Sequence, residues 1–306
     1  MMKTCLFDYP DIRDGKSINR TVLNLDYAEE RSIFATEKKA FEERKDMIGT
    51  IRENIIMKLS TLISLLSLGA LTLGCQSTQS QNTSTMDTFK TQSGKEVTII
   101  PIKHASMEIR FGEVEIQVDP VIDATPPYTD YTQMPKADYI LITHEHYDHL
   151  DGKAVEQLSK ASTVIVTNKN SAAILGRGEV MANGDSLRLS DDIMLWAVPA
   201  YNTTEGHLQF HPKGRDNGFI LELDGLRLYI AGDTEDIEEM NEVKDIDIAF
   251  LPCNQPYTML PSQLRRAADM VKPKVLYPYH FGDTPEDAME QAMEGSGIEV
   301  RIRNFQ

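Results

Sequence analysis

Cysteine and positive charge are both scarce in this sequence. The 306 residues include three cysteines, Cys5, Cys75 and Cys253, whose spacing matches neither a zinc knuckle nor a disulfide framework. Lys and Arg number 31 against 47 Asp and Glu, which gives a formal net charge of -16. Because nucleic acids are bound through clustered Lys and Arg, this balance excludes them as the main partner. With 41% hydrophobic residues, the chain can still build a globular core.

A hydrophobic run long enough to span a bilayer comfortably is also lacking. The apolar run 59–73 has the length of a signal-peptide core, follows Met57-Lys58 and ends directly before Gly74-Cys75. It resembles a bacterial lipoprotein signal over 57–75, with Thr72 where Leu is usual. The resemblance implies lipidation of Cys75 and attachment to a membrane of the bacterial cell envelope, on the periplasmic side or at the outer membrane. The alternative is a buried core helix.

The segments on either side of this run predict the organisation of the chain. Residues 1–56 are too long and too charged for the start of a signal peptide, so we predict an upstream leader that is not part of the gene, with Met57 as the start. The alternative is a cytosolic segment ahead of a signal anchor. The polar tract 76–94 is rich in Ser, Gln and Thr and predicts a flexible tether. Residues 95–306 then form one domain of normal size.

Short apolar runs with β-branched residues alternate with turns through this domain, and each run predicts a strand. The predicted strands cover 97–102, 107–111, 114–118, 139–143, 164–167, 186–189, 193–198, 219–223, 227–231 and 275–278. Helical patterns cover 152–158, 261–270 and 285–293. Strands dominate and helices are interspersed, so the predicted class is mixed α and β.

One segment carries most of the chemistry. His144-Glu145-His146-Tyr147-Asp148-His149 places three imidazoles and a carboxylate directly after a predicted buried strand. Imidazole nitrogen and carboxylate oxygen are ligands that Zn²⁺ takes in catalytic sites. In extended backbone His144 and His146 point the same way, so both can reach one ion. Asp148 and His149 lie past the turn and can reach a second ion nearby. The segment predicts a site for one or two metal ions.

This HxHxDH pattern is the hallmark of the metallo-β-lactamase fold superfamily, which the chain resembles from Ile99 to the C-terminus. Four further segments match: Lys103-His104-Ala105-Ser106, Asp119-Pro120, Ala231-Gly232-Asp233-Thr234 and Tyr277-Pro278-Tyr279-His280. The resemblance implies an α+β fold, a four-layer αββα sandwich of two mixed β-sheets. The metals would lie at one edge of the sandwich.

The resemblance also implies roles for individual residues. The first ion would take His144 and His146, the second would take Asp148, His149 and His280, and Asp233 would bridge them. Asp148 would also orient the nucleophile or pass a proton, and Asp119 would fix the tautomer of an imidazole. His104 would contact substrate or support a ligand, with an ordinary histidine at a strand end as the alternative. The expected cofactor is Zn²⁺, as one or two ions, with Mn²⁺ or iron as alternatives.

One ligand position departs from the family pattern. The superfamily places a histidine two residues after a Pro-Ala, where this chain has Asn202. An amide oxygen is a much poorer zinc ligand than an imidazole, so another residue is expected to complete the first site. His211, in an HPKG segment that resembles a subgroup of small members, is favoured over His207. The alternative leaves both histidines in solvent.

The leading interpretation is a metal-dependent hydrolase, in which a metal-activated hydroxide attacks an ester, lactone or phosphodiester. The chain resembles the group that includes ascorbate-phosphate lactonase and N-acyl phosphatidylethanolamine phospholipase D. Expected substrates are small or lipid-like molecules. A non-catalytic metal-binding lipoprotein and, less favoured, a di-iron redox protein are the alternatives. Cys253 would be either an inert buried thiol or, less favoured, a nucleophile or soft ligand.

Overall fold

A computed structural model of the chain describes residues 86–122 and 128–305. The predicted leader, the predicted signal peptide and Cys75 lie outside these residues. Within the described ranges no helix combines the length and the apolar character needed to cross a membrane.

The described strands form two seven-stranded sheets with the same pairing pattern. In each sheet the first four strands pair antiparallel, and the fourth to seventh pair parallel. The first sheet contains β1 Asp87–Lys90, β2 Glu96–Lys103, β3 Ser106–Phe111, β4 Val114–Val118, β5 Tyr139–Leu141, β6 Val164–Thr167 and β7 Glu179–Val180. The second contains β8 Ser186–Arg188, β9 Ile193–Ala200, β10 Asp216–Leu223, β11 Leu226–Ile230, β12 Ile248–Pro252, β13 Val275–Tyr279 and β14 Glu299–Val300.

Four α-helices occur among the described residues, and their ends follow from local chemistry. They are α1 Gly152–Leu158, α2 Lys169–Leu175, α3 Pro261–Val271 and α4 Glu286–Met293. The side chain of Asn168 accepts a hydrogen bond from the backbone N–H of Ser171 and so caps the start of α2, which ends at the left-handed Gly176. Helix α3 begins at a proline, which has no N–H to leave unpaired at that position.

The hydrophobic core lies between the two sheets, and the helices pack on the outer faces of the sheets. Inward side chains of the first sheet, such as Ile99, Ile109 and Val118, share one buried cluster with the second sheet and with the apolar face of α3. Outward side chains Ile140 and Ile165 pack instead with α1 in a second cluster. This alternation is what period-two strands produce when both faces are covered. The arrangement is the α+β sandwich that the sequence predicts.

The predicted tether has to be corrected at its carboxyl end. Residues 87–90 form β1, which pairs antiparallel with β2, so the ordered fold begins before residue 95. Phe89 packs against the core and beneath the guanidinium of Arg301, and Asp87 accepts hydrogen bonds from Arg301 and Arg303. These partners come from the far end of the chain, so the polar local sequence gives no sign of the strand.

The other differences between predicted and observed elements also arise from contacts between residues far apart in the chain. Strand β12 was not predicted although all five of its residues are buried, and α2, β7 and β14 were also missed. The remaining predicted strands and helices are present, with ends that differ by at most three residues. Short elements depend on their neighbours in space more than on their own pattern.

Candidate metal centre

The predicted metal ligands come together at one edge of the sandwich because of the strand directions. Asp119 directly follows β4, His144 follows β5, Asp233 follows β11 and His280 directly follows β13. The carboxyl ends of parallel strands meet at the same edge of a sheet, where ligand sites of α/β folds form. Strand β9 runs parallel to β11, so the 201–215 loop after it also lies at this edge.

His144, His146 and His211 form the first group, with one nitrogen of each within 4.8 Å of the others. Nε2 of His144 lies 3.1 Å from Nδ1 of His146. The ring of His211 lies 4.9 Å from that of His144 and 4.7 Å from that of His146, measured between centroids. His211 therefore occupies the place that the sequence leaves open, whereas His207 belongs to none of the groups found among the described residues.

Asp233 lies between the two predicted metal positions. Its Oδ1 is 3.3 Å from Nε2 of His149. Its Oδ2 is 3.1 Å from Nε2 of His280 and 3.3 Å from Nε2 of His211. One carboxylate thus faces imidazoles from both groups, which is the placement that a bridging ligand requires.

The second group contains the three predicted residues Asp148, His149 and His280 and adds His104. Nε2 of His104 lies 3.3 Å from Oδ2 of Asp148, and Nε2 of His280 lies 3.8 Å from the same oxygen. The rings of His104 and His280 are 3.7 Å apart. The structure thus places His104 beside the ligand atoms and not merely at a strand end.

Most of the clustered imidazoles are held through the ring nitrogen that points away from the centre. Oδ2 of Asp119 lies 2.8 Å from Nδ1 of His149, and Asp119 also accepts hydrogen bonds from the N–H and hydroxyl of Thr143. The Thr143 hydroxyl lies 2.9 Å from Nδ1 of His144. Such partners fix the tautomer and aim the other nitrogen. Asp119 has the position that was predicted for it.

Asp216 orients His211 in the way that Asp119 orients His149. The sequence analysis did not identify Asp216. Oδ2 of this fully buried carboxylate lies 3.0 Å from Nδ1 of His211. Asp216 also accepts two hydrogen bonds from the guanidinium of Arg215, whose Nη2 lies 3.2 Å from Nε2 of His146. The only available sequence signal was an acidic residue five positions after His211.

The electrostatics of the two groups differ. Burial and the neighbouring imidazoles hold the pKa of His144 well below its usual range and lower that of His146. Burial alone would also lower the pKa of His280, but the carboxylates of Asp233 and Asp148 raise it to about 9. Burial would raise the pKa of Asp233, yet His149 and His280 hold it well below its usual range. The centre therefore keeps its carboxylates ionised, as metal ligands must be.

Asn202, where the family pattern has a histidine, is engaged in holding a loop. Its Nδ2 donates to Oε1 of Glu235 at 3.2 Å and to the carbonyl oxygen of Tyr257 at 2.8 Å. Oε2 of Glu235 accepts four more hydrogen bonds, from the N–H and hydroxyl groups of Thr203 and Thr204. This buried carboxylate ties down the loop that carries His211. The sequence reasoning missed Glu235, although it directly follows the AGDT segment.

The backbone around the centre is held in uncommon conformations. Asp119, His104 and His280 have φ values of 42°, 56° and 47°, in the left-handed region that β-carbons disfavour. Such strain clusters at functional sites, where the surrounding structure imposes it. Gly232, directly before Asp233, has a φ of 67°, and a Cβ there would lie 2.7 Å from the carbonyl oxygen of Asn217. Only glycine fits this turn.

Two further side chains are accounted for by their own surroundings: Cys253, weighed in the sequence analysis, and Lys213, in the HPKG segment. Cys253 is buried, and burial raises the pKa of its thiol to about 12, which makes it unreactive at neutral pH. Lys213 is bound to Glu239 and to the hydroxyl of Tyr201. Cys253 therefore fits the inert alternative.

The donor set fits a metal centre. Nε2 of His149, Oδ1 of Asp233 and Nε2 of His280 are buried, and within the described residues they make no hydrogen bond. Buried polar atoms are normally paired. Imidazole nitrogens and carboxylate oxygens that converge without hydrogen bonds are typical of positions completed by a cation.

Comparison with known proteins agrees with this geometry. The family described as the Beta-lactamase superfamily domain matches residues 98–280, which include every clustered histidine and aspartate. The chain belongs to the beta-lactamase superfamily. A UPF0173 metal-dependent hydrolase of Archaeoglobus fulgidus is 31% identical over 208 residues, covering 62% of this chain and 88% of the relative.

Two solved structures extend the likeness. A crystal structure from Parabacteroides distasonis, provisionally named a metal-dependent hydrolase, is 56% identical with a TM-score of 0.70 and covers 72% of this chain and 99% of its own. Igni18, a metallo hydrolase of Ignicoccus hospitalis, is 23% identical with a TM-score of 0.57, covers 68% and 95% of the two chains, and shows the shared fold. As a superfamily member with a His/Asp cluster that fits metal, the protein is a metal-dependent hydrolase.

Proposed function

We propose that the protein hydrolyses an ester, lactone or phosphodiester at a centre of two Zn²⁺ ions. The position of Asp233 carries the proposal, because its two oxygens face imidazoles of both groups. His144, His146 and His211 would hold the first ion. Asp148, His149 and His280 would hold the second, beside His104. Bound zinc would acidify a water molecule and polarise the oxygen of the scissile bond.

The protein groups position the ligands and the attacking water. Asp119 and Asp216 orient His149 and His211, so two ligands keep their geometry without help from the substrate. Asp148 is part-exposed at 30% of its side-chain area, and the contacts of its Oδ2 with His104 and His280 hold its pKa well below its usual range against the effect of burial. An ionised, part-exposed carboxylate can orient a water molecule, although so low a pKa makes it a weak proton acceptor.

The same ligand set favours hydrolysis over the redox alternative. Among the described residues the clusters contain six histidines and two aspartates. Carboxylate-rich sites suit iron and oxygen chemistry, whereas this imidazole-rich set suits zinc. A non-catalytic metal protein would not need a carboxylate as accessible as Asp148.

The test is hydrolysis of bis(p-nitrophenyl) phosphate and a panel of lactones by the zinc-loaded full chain. His146→Ala and Asp233→Asn are expected to lose activity and bound zinc together, and Asp148→Ala to lose activity. Asp269→Asn, at a site paired with Arg265 on the surface of α3, is the matched control. If the parent and Asp148→Ala bind zinc equally and neither turns over any substrate, the protein only binds metal and the enzyme proposal is refuted.

We also propose that the protein is a lipoprotein, lipidated at Cys75 in the bacterial cell envelope. The sequence around 57–75 supports this. An acidic protein is repelled by anionic lipid, so attachment would depend on the acyl chains. Mass spectrometry of the mature N-terminus from membranes tests it. Cys75→Ser should release the protein from the membrane fraction, and a mature chain that begins upstream of Cys75 without lipid would refute the proposal.

A further inference from the structure

Exposed apolar side chains gather around the metal centre. Among the described residues, eight large hydrophobic side chains are exposed, and four of them lie on the loops that carry or flank the centre: Tyr147, Leu208, Tyr257 and Leu260. Isolated exposed apolar residues are ordinary, because polar groups cannot cover a protein. Their concentration at the edge that carries the metal centre is unusual and marks a binding surface.

Three aromatic residues on these loops form what we name the aromatic rim: the exposed Tyr147 and Tyr257 and the part-buried Phe210. The rings of Phe210 and Tyr257 meet edge to face with their centroids 5.0 Å apart. Tyr147 is 80% exposed. The rim therefore combines one residue of the metal loop with two residues from loops of the second sheet.

Each member of the rim is tied to the metal centre. Tyr147 stands between His146 and Asp148 in the chain. The carbonyl oxygen of Phe210 accepts a 2.8 Å hydrogen bond from Nη2 of Arg215, the atom that lies 3.2 Å from His146. The carbonyl oxygen of Tyr257 accepts from the amide of Asn202. These contacts place the rim beside the ligand cluster.

The size of the rim selects its occupant. Stable protein interfaces cover about 800 Å² on each partner, which three side chains cannot provide. Three rings can enclose part of an alkyl chain or one aryl ring, and each buried methylene strengthens binding roughly fourfold. The rest of the molecule is strongly acidic, so the rim is an apolar patch in a polar surround.

We propose that the aromatic rim binds an apolar group, an acyl chain or an aryl ring, attached to the bond that the metal centre hydrolyses. The inference rests on the proposed function and narrows it to amphiphilic substrates. The rim holds the apolar end of the substrate, and the polar, hydrolysable end of the substrate lies over the ligand cluster. Aromatic side chains suit this task because they offer a large rigid surface at a small entropic cost.

The test measures binding of ethyl-, octyl- and phenylphosphonate to the zinc-loaded full chain by calorimetry, which needs no turnover. Octyl- or phenylphosphonate should bind at least tenfold more tightly than ethylphosphonate. The Phe210→Ala/Tyr257→Ala double variant should reduce this ratio to below about threefold, mainly by weakening the binding of octyl- and phenylphosphonate. A stronger gain from octyl indicates an acyl group, and a stronger gain from phenyl indicates an aryl group.

The controls separate this inference from folding defects and from the proposed function. Ile174→Ala/Val180→Ala removes two exposed apolar side chains elsewhere and should keep the ratio, as should Phe210→Leu. An equal ratio in the double variant and the parent would overturn the inference, as would the absence of any preference in the parent. A change in oligomeric state or vesicle binding with an unchanged ratio would also overturn it. A preserved preference in a protein that hydrolyses nothing refutes only the proposed function.

Discussion

The carboxylate of Asp216 lies 3.0 Å from Nδ1 of His211, while Nε2 of His211 lies 3.3 Å from Asp233. This pair explains how a chain with Asn202 at the usual histidine position can still assemble three imidazoles. The third imidazole comes from nine residues further along the same loop, and its orientation is set by the first residue of β10. Asp216 therefore supports the cluster from outside, through the nitrogen of His211 that points away from Asp233.

Asp216→Asn should weaken zinc binding about tenfold, because an amide aims and polarises the imidazole less strongly than a carboxylate. Competition with a chromophoric chelator measures the change. Since Asp216 also binds Arg215, whose Nη2 lies 3.2 Å from Nε2 of His146, Arg215→Gln is the comparison and should weaken zinc binding less than Asp216→Asn does. An equal loss in both variants would mean that Asp216 acts through Arg215 and not through His211.

His211→Ala and His207→Ala form a matched pair of histidine deletions in one loop. His211→Ala should lower the amount of bound zinc or weaken zinc binding by more than about tenfold, because it removes an imidazole of the first group. The second should retain the zinc of the parent, since His207 faces Glu235 and lies outside the groups. Metal analysis after dialysis measures both. A His211→Ala protein with its full metal content would refute the assignment of His211 as a ligand.

Glu235→Gln should destabilise the fold at pH 7 by about 2 kcal/mol, because a buried carboxylate with five donors is replaced by a group that satisfies fewer of them. Burial would raise the pKa of Glu235, but hydrogen bonds from Thr203 and Thr204 lower it to about 2. Its stabilising contribution is therefore present above pH 4.5 and is lost as the pH falls through about 2. Urea unfolding at pH 7 and pH 3 should show a smaller gap between parent and variant at pH 3.

Glu239→Gln is the control for Glu235, because it removes a less buried carboxylate that pairs with exposed Lys213. Its cost should stay below about 1 kcal/mol at pH 7, as for surface ion pairs. Equal costs for the two variants would contradict a special role of Glu235 in holding the loop.

Glu115, in the first sheet, should make the stability of the fold depend on pH in the opposite direction. Burial and the neighbouring Glu108, which shares Arg110 with it, raise the pKa of Glu115 to about 7. Its contribution to stability is fully present below pH 4.5 and is lost as the pH rises through about 7. Glu115→Gln should therefore be about 1 kcal/mol more stable than the parent at pH 8, after allowance for solvent screening, with a smaller difference at pH 5.

Thermal unfolding at the two pH values measures the effect of Glu115→Gln. Glu113→Gln, at an exposed position in the same hairpin, controls for the loss of one negative charge. A gain at pH 8 that is equal in both variants would reflect net charge and would contradict the role of the Glu108–Glu115 pair.

The sequence predicted the parts of the site that lie close together in the chain. His144, His146, Asp148 and His149 were found because their spacing alone brings their ligand atoms together. Asp119, Asp233 and His280 were found only through the resemblance, since each follows a different strand. Asp216 and Glu235 escaped because an isolated carboxylate carries no local pattern, and its role depends on the imidazole or hydroxyls that the fold brings to it.

The sequence by itself determined the mixed α and β class, ten of the fourteen described strands and the residue types of the central motif, because hydrophobic period and residue type are local properties. Only the tertiary structure decided between His211 and His207 as neighbours of the first group, placed His104 beside Asp148, and made 87–90 a strand. Each of these depends on contacts between residues far apart in the chain. The physical reason is that donor distances, burial and ion pairs are set where strands from two sheets end at one edge, which no single segment encodes.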